Sequence, residues 1–222
     1  MTKREKILPT TSTGDHLHAV AKAGLAAVPI LGGPAAELFT QVIVPPLTKR
    51  REAWLQGIAD DLAVLEEKVE GFTTKSLASN EEFITLLMQV SQIAITTHRN
   101  EKLAALRNVL SNSAVKTPDE YLQVHLLSFL DIATPWHFQV LRFYGDPADF
   151  LDNSGLTIAT GDYLSTYVVR VFKELDGKDA FRLQIERDLL HYGLILPEEV
   201  WYSERTTNTG DKVIAMLESP IS

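Results

Sequence analysis

Apolar positions recur with a helical period along most of the chain. From Leu55, the residues Ile58, Leu62, Leu65 and Val69 follow at intervals of 3, 4, 3 and 4, while Asp60, Asp61, Glu66, Glu67 and Lys68 occupy the opposite face. This spacing predicts a helix over about residues 47–70, stopped at Gly71. The seam is too short for a long coiled coil and fits a helix of a bundle. Ser79-Asn80-Glu81-Glu82 has the form of a capping box. Phe83, Leu87, Val90 and Ala94 then make an apolar stripe that Leu103, Leu106 and Leu110 resume, predicting one helix to about Ser113, kinked near His98. Thr117-Pro118-Asp119-Glu120 and Thr134-Pro135-Trp136 each put Thr at an N-cap and Pro at the first helical position, and Gly145 ends the second of these helices. Beyond it, loop signals separate shorter helices over about 163–175 and 179–192, the latter capped by Gly193. Leu194–Leu196 and Val200–Tyr202 read as a short β-hairpin, followed by a last helix from about Thr209 to Leu217.

The N-terminal part has a different texture. Residues 1–15 are polar and read as a flexible terminus. Leu17 to Leu47 is rich in Ala, Gly, Val, Leu, Ile and Pro, and its longest uncharged run, between Lys22 and Glu37, has 14 residues. A membrane span needs roughly 20 apolar residues, so this segment does not read as a constitutive anchor. Pro29, Gly32, Gly33 and Pro34 predict two short helices around a Pro-Ile-Leu-Gly-Gly-Pro turn, ended by Pro45-Pro46. The expected fold class is therefore all-α. A helical bundle over residues 16–115 carries the apolar N-terminal segment, and a smaller winged-helix-like domain with a short β-hairpin covers 116–222.

Composition narrows the chemistry. The chain has 222 residues, no cysteine and a formal charge of −8. The missing cysteines exclude a disulfide framework, thiolate metal sites and a Cys nucleophile, and they fit a reducing, cytoplasmic setting. Met-Thr-Lys-Arg-Glu-Lys is followed by Pro9 and a Thr/Ser run, which is not the pattern of a secretory signal. His16 and His18 are the only close histidine pair, and no further donors converge on them by spacing, so no metal is expected. Gly32-Gly33 lacks the Lys-Ser/Thr of a phosphate loop, and no nucleophile elbow is present. The acid pairs Asp60-Asp61, Glu66-Glu67 and Glu81-Glu82 fall on solvated faces or at helix starts, where helix electrostatics accounts for them. No catalytic constellation and no cofactor are expected.

Two features point to contacts rather than catalysis. Lys49-Arg50-Arg51 is a basic cluster at the junction of the apolar segment and the seam helix, placed to meet phosphate or lipid headgroups. In residues 134–222, three helices, a hairpin and a final helix follow the order of a winged helix with 179–192 as recognition helix. That region holds eight Lys/Arg against fourteen Asp/Glu, and the recognition helix itself, with Asp179, Arg182, Glu186, Arg187 and Asp188, is net −1. Phosphate neutralisation supplies most nucleic-acid affinity, so nucleic acid is not the expected partner, and an acidic winged helix reads as a protein-interaction module.

Residues 17–113 resemble the bacterial Bell domains, relatives of the fungal HeLo domains and of the four-helix membrane-killing domain of animal necroptosis effectors. The resemblance rests on Ala19–Leu31, Gly32-Gly33-Pro34 and Ala35–Val44, then Pro-Pro-Leu-Thr-Lys-Arg-Arg-Glu-Ala-Trp-Leu, then two long amphipathic helices. The C-terminal half resembles the winged-helix tails of uncharacterised bacterial proteins. The Bell resemblance implies a regulated bundle whose N-terminal segment reaches membranes after activation. The functional expectation is a non-enzymatic bacterial effector or adaptor, in defence or regulated cell death, acting by membrane perturbation or protein–protein contact. Its membrane- or partner-contacting residues would be Leu25, Val28, Ile30, Leu31, Leu38, Phe39, Val42, Ile43, Lys49, Arg50 and Arg51. A protein partner or self-association, cytoplasmic residence and inducible recruitment to a membrane belong to the same reading. The alternatives are a winged-helix DNA-binding regulator and a structural interaction scaffold.

Overall fold

Helical periodicity accounts for nearly all of the regular structure. The computed structural model describes residues 34–159, 161–197 and 205–220, with side chains from residue 49 onward. By its contacts the chain divides into two compact units, Met1–Ala53 and Trp54–Ser222. Along the described residues the helices are α1 (Pro34–Lys68), α2 (Thr74–Leu77), α3 (Glu81–Thr96), α4 (Asn100–Val115), α5 (Glu120–Ile132), α6 (Pro135–Gly145), α7 (Pro147–Asn153), α8 (Ser165–Val171), α9 (Asp179–His191) and α10 (Asn208–Leu217), with a 3-10 turn at Lys173–Leu175. The all-α class holds. The expected flexible terminus 1–15 and the first of the two short N-terminal helices lie outside the described residues.

The expected stop at Pro45-Pro46 is corrected, because α1 runs through both prolines without ending. Proline locks φ near the helical value, so it removes hydrogen bonds without forcing the chain out of the helix. Only the carbonyls of Gln41 and Val42 lose their helical donors, and the turns on either side of the pair remain wound. Past Lys68 the chain turns at Gly71, whose φ of 77° favours glycine.

Within the unit Trp54–Ser222, one apolar cluster joins all the longer helices. The buried seam of α1 is Trp54, Ile58, Leu62 and Leu65, whereas Leu55, expected in it, is 45% exposed. The steps of 4, 4 and 3 are as helical as the expected phase, and the larger indole takes the inner position. Trp54 Nε1 donates to Ser91 Oγ of α3 at 2.9 Å, and Arg107 of α4 grips Asp61 with two bonds of 2.7 and 3.1 Å.

The single helix expected from residue 80 to 113 is in fact two. Thr97 and Arg99 are extended, and the Arg99 N–H donates to Thr97 Oγ1 at 3.2 Å. Thr96 Oγ1 meanwhile donates back to Ile93 O at 2.8 Å, so hydroxyl bonds replace the helical ladder at this point. The break lets α4 fold back onto α3, and Val90, Ala94, Leu106 and Val109 are all buried. The α3 cap is Asn80, whose side chain accepts from Phe83 N at 3.0 Å; Ser79 Oγ instead donates to Ser76 O. The α5 cap is Asp119, two residues later than expected, accepting from Leu122 N at 2.8 Å. Thr134 does cap α6 with Pro135 following, as its sequence predicts.

At the C-terminal end, α9 closes with Gly193 at φ 64°. The Leu194 and Gly193 N–H groups return to Leu189 O and Leu190 O, and Leu189 and Leu194 are both fully buried. Residues 194–196 then pair with 205–207: Leu196 N–H donates to Arg205 O and Thr207 N–H to Leu194 O, around an isolated Ile195–Thr206 bridge. Val200–Tyr202, the expected second strand of the hairpin, lie outside the described residues, and no strand forms among those described. Gly210 sits where any Cβ would collide with the Leu194 carbonyl, which lets α10 press against this stretch. Residue 116 lies within the unit Trp54–Ser222, in which side chains of α4 hold the end of α10. Asn108 Nδ2 donates to Leu217 O and Asn112 Nδ2 to Glu218 O, both at 2.8 Å.

Leu65→Ala is expected to lower stability by about 2–5 kcal/mol, the usual cost of a core truncation that leaves a cavity. Leu55→Ala should stay within about 0.5 kcal/mol of the parent, as exposed positions do. Urea midpoints of the two variants check the phase of the α1 seam.

Candidate functional site

The residues singled out by sequence fall into three groups. Leu25, Val28, Ile30 and Leu31 lie outside the described residues, as do His16 and His18. Leu38, Phe39, Val42 and Ile43 belong to α1, and their side chains are outside the description. Lys49, Arg50 and Arg51 are also on α1 and all three are exposed, with no carboxylate partner among the described residues. Successive residues step about 100° around a helix, so the three cations form a partial collar rather than one stripe. Among the described residues no helix is long and apolar enough to cross a membrane.

A second site, which sequence reasoning missed, lies within the unit Trp54–Ser222. The break at Thr97–Arg99, the α5–α6 connection and the segment from Phe172 to Phe181 border an open cavity of about 820 Å³. Trp136 and Phe172 meet edge to face across 6.0 Å on its wall, and Ile132 and Phe181 stand partly exposed at its rim. Lys102, in the first turn of α4, also lines it and is only 8% exposed. Its Nζ donates to the backbone carbonyl of Asp131 at 3.0 Å, and no carboxylate lies within ion-pair distance among the described residues. Burial pulls the Lys102 ammonium below the usual lysine pKa, and the Asp131 charge opposes that pull only in part. Arg99, Glu101 and Glu174 complete the charged lining and are exposed. Arg99, the N-cap residue of α4, provides no side-chain cap, so first-turn N–H groups at this end are left without that partner.

Behind the cavity wall, His137 is buried between α6 and α9. Its Nδ1 accepts the Thr134 N–H at 3.1 Å, which assigns the ring proton to Nε2, and Nε2 donates to Asp188 Oδ2 at 3.2 Å. Thr134 Oγ1 lies 2.9 Å from the same Nδ1. The Thr–His–Asp series has the outline of a hydrolase triad but not its chemistry. The one in-plane lone pair of Nδ1 is engaged by a backbone N–H, so it is not free to take a hydroxyl proton. The arrangement is a helix cap extended to a neighbouring helix. Among the described residues no three His, Asp or Glu side chains converge as metal ligands.

No family model matches the chain, and neither does any curated protein or solved structure.

Burial holds His137 below the ordinary imidazole pKa, with Lys102 adding to the shift and Asp188 opposing it. The unfolded chain therefore binds the proton at higher pH than the folded one, and stability rises with pH. Resistance to urea should be full above about pH 6.5 and fall as the pH drops below it. His137→Gln, which keeps an acceptor for Thr134, should flatten this dependence when unfolding is measured between about pH 7.5 and 5.5.

Proposed function

We propose that the chain is a non-enzymatic effector or adaptor that works at an anionic membrane surface through its N-terminal segment, in the manner that the Bell and HeLo resemblance implies. The observation that carries this reading is the exposed run Lys49-Arg50-Arg51, without a carboxylate partner among the described residues and following the apolar residues of α1. Each cation near an anionic leaflet contributes about 1 kcal/mol, and an apolar segment beside it supplies the second element that stable attachment needs. The mode is surface contact, recruited from the cytoplasm on activation, rather than a span. Residues 134–222 serve in this reading as a winged-helix-like protein-interaction module.

The DNA-binding alternative has weaker support. Arg182, central to the helix that would read DNA, is tied to Glu186 at 2.7 Å on its own helix, and both are largely buried. A protein-contact reading has one observation in its favour. Tyr121 and Val124 of α5 are 63% and 59% exposed, three residues apart on one helical face.

The protein should sediment with phosphatidylserine-containing vesicles and not with pure phosphatidylcholine vesicles. K49A/R50A/R51A should weaken the interaction by about 100-fold, three contributions of about 1 kcal/mol each. Absence of binding to either vesicle by the full chain would replace this reading with that of an interaction scaffold.

A further inference from the structure

We propose that the cavity around Lys102 is a binding site for a small organic monoanion with a flat apolar body, its anionic head on the Lys102 ammonium and its body against Trp136, Phe172 and Phe181. This inference does not depend on the membrane reading.

A lysine ammonium has three donors, and among the described residues only the Asp131 carbonyl takes one. A cation buried with a single neutral acceptor is an unfavourable arrangement that a well-packed core does not require. It becomes favourable when a carboxylate, sulfonate or phosphate oxygen enters beside it, because a charge-assisted bond in a partly dry site is stronger than one in water. The volume of about 820 Å³ lies within the range of small-molecule clefts and far exceeds that of a single water. The walls set the shape of the ligand body. Trp136 and Phe172 offer an aromatic corner at 6.0 Å, and Phe181 stands 38% exposed at the mouth, where it can cover a flat group.

The remaining charges set the ligand's valence. Arg99 and Lys102 are matched in number by Glu101 and Glu174, so the lining as a whole is neutral. A polyphosphate would meet both carboxylates, whereas one negative charge placed at Lys102 need not. The rim acids are exposed and can turn to solvent, but Lys102 cannot. The uncapped first turn of α4 adds positive potential at the same end.

The test uses the full chain and two fluorescent probes of like shape: 8-anilinonaphthalene-1-sulfonate, which is an aromatic monoanion, and N-phenyl-1-naphthylamine, which is neutral. The sulfonate should saturate one site per chain. Lys102→Met should weaken sulfonate binding about tenfold or more, the range for a charge-assisted hydrogen bond, and leave the neutral probe unchanged. Phe181→Ala, at an exposed position, should weaken both probes several-fold. Thermal unfolding of each variant separates lost binding from lost folding. Equal sulfonate affinity in folded K102M overturns the proposal, as does a stoichiometry well above one that neither variant alters. Should K102M not fold, unaltered binding of both probes to F181A overturns it.

Discussion

Three non-helical residues, Thr97 to Arg99, determine how the second unit is built. Had the helix continued, the sixteen residues of α4 would project about 24 Å beyond the end of α3 at 1.5 Å per residue, and the apolar faces of the two would not cover each other. The break instead returns α4 along α3 and hides Leu106, Val109 and Leu110. It also places the start of α4, with Lys102, on the wall of a cavity rather than in mid-helix. The local hydroxyl bonds of Thr96 and Thr97 are individually small and favour the break, while apolar packing between the two helices holds the returned arrangement.

The later helices are held by polar ties that cross long sequence distances. His137 joins the cap of α6 to Asp188 of α9, and Asn108 and Asn112 of α4 take the carbonyls at the end of α10. Each satisfies backbone groups that a helix end leaves open, and each fixes orientation where apolar packing alone would permit sliding. Arg205 adds another tie. Its guanidinium stacks 4.4 Å above the Tyr144 ring and donates to the Leu196 carbonyl.

Helix existence and type were legible in the sequence because the apolar period is strong in α1, α3, α5 and α6. Phase and boundaries were less so. Trp54 and Leu55 both satisfy a helical period with Ile58 and Leu62, and only three-dimensional packing chooses the indole. Thr117 and Asp119 are both good caps, and the chain uses the aspartate, leaving Pro118 just outside the helix. The helix break had a faint signal in the consecutive threonines, which reads equally as a kink. Lys102 had none: in the sequence it closes a polar stretch and looks solvated, and its burial arises from contacts with residues about 30 positions away. The cation run at Lys49–Arg51 was legible as a cluster, since exposure is the default for adjacent charges on a helix.

The two prolines inside α1 have a consequence for cooperativity. Helix propagates because each new residue is locked by a bond to the turn before it. At Pro45 and Pro46 that relay is missing twice in succession. Fraying that starts at Pro34 therefore has a natural halting point, and the coil–helix equilibrium of the residues before the prolines is only loosely linked to that of the residues after them. The thirty-five residues of α1 are expected to melt as two segments joined end to end. Loss of the first would leave the turns that carry Trp54, Ile58, Leu62 and Leu65 wound and packed.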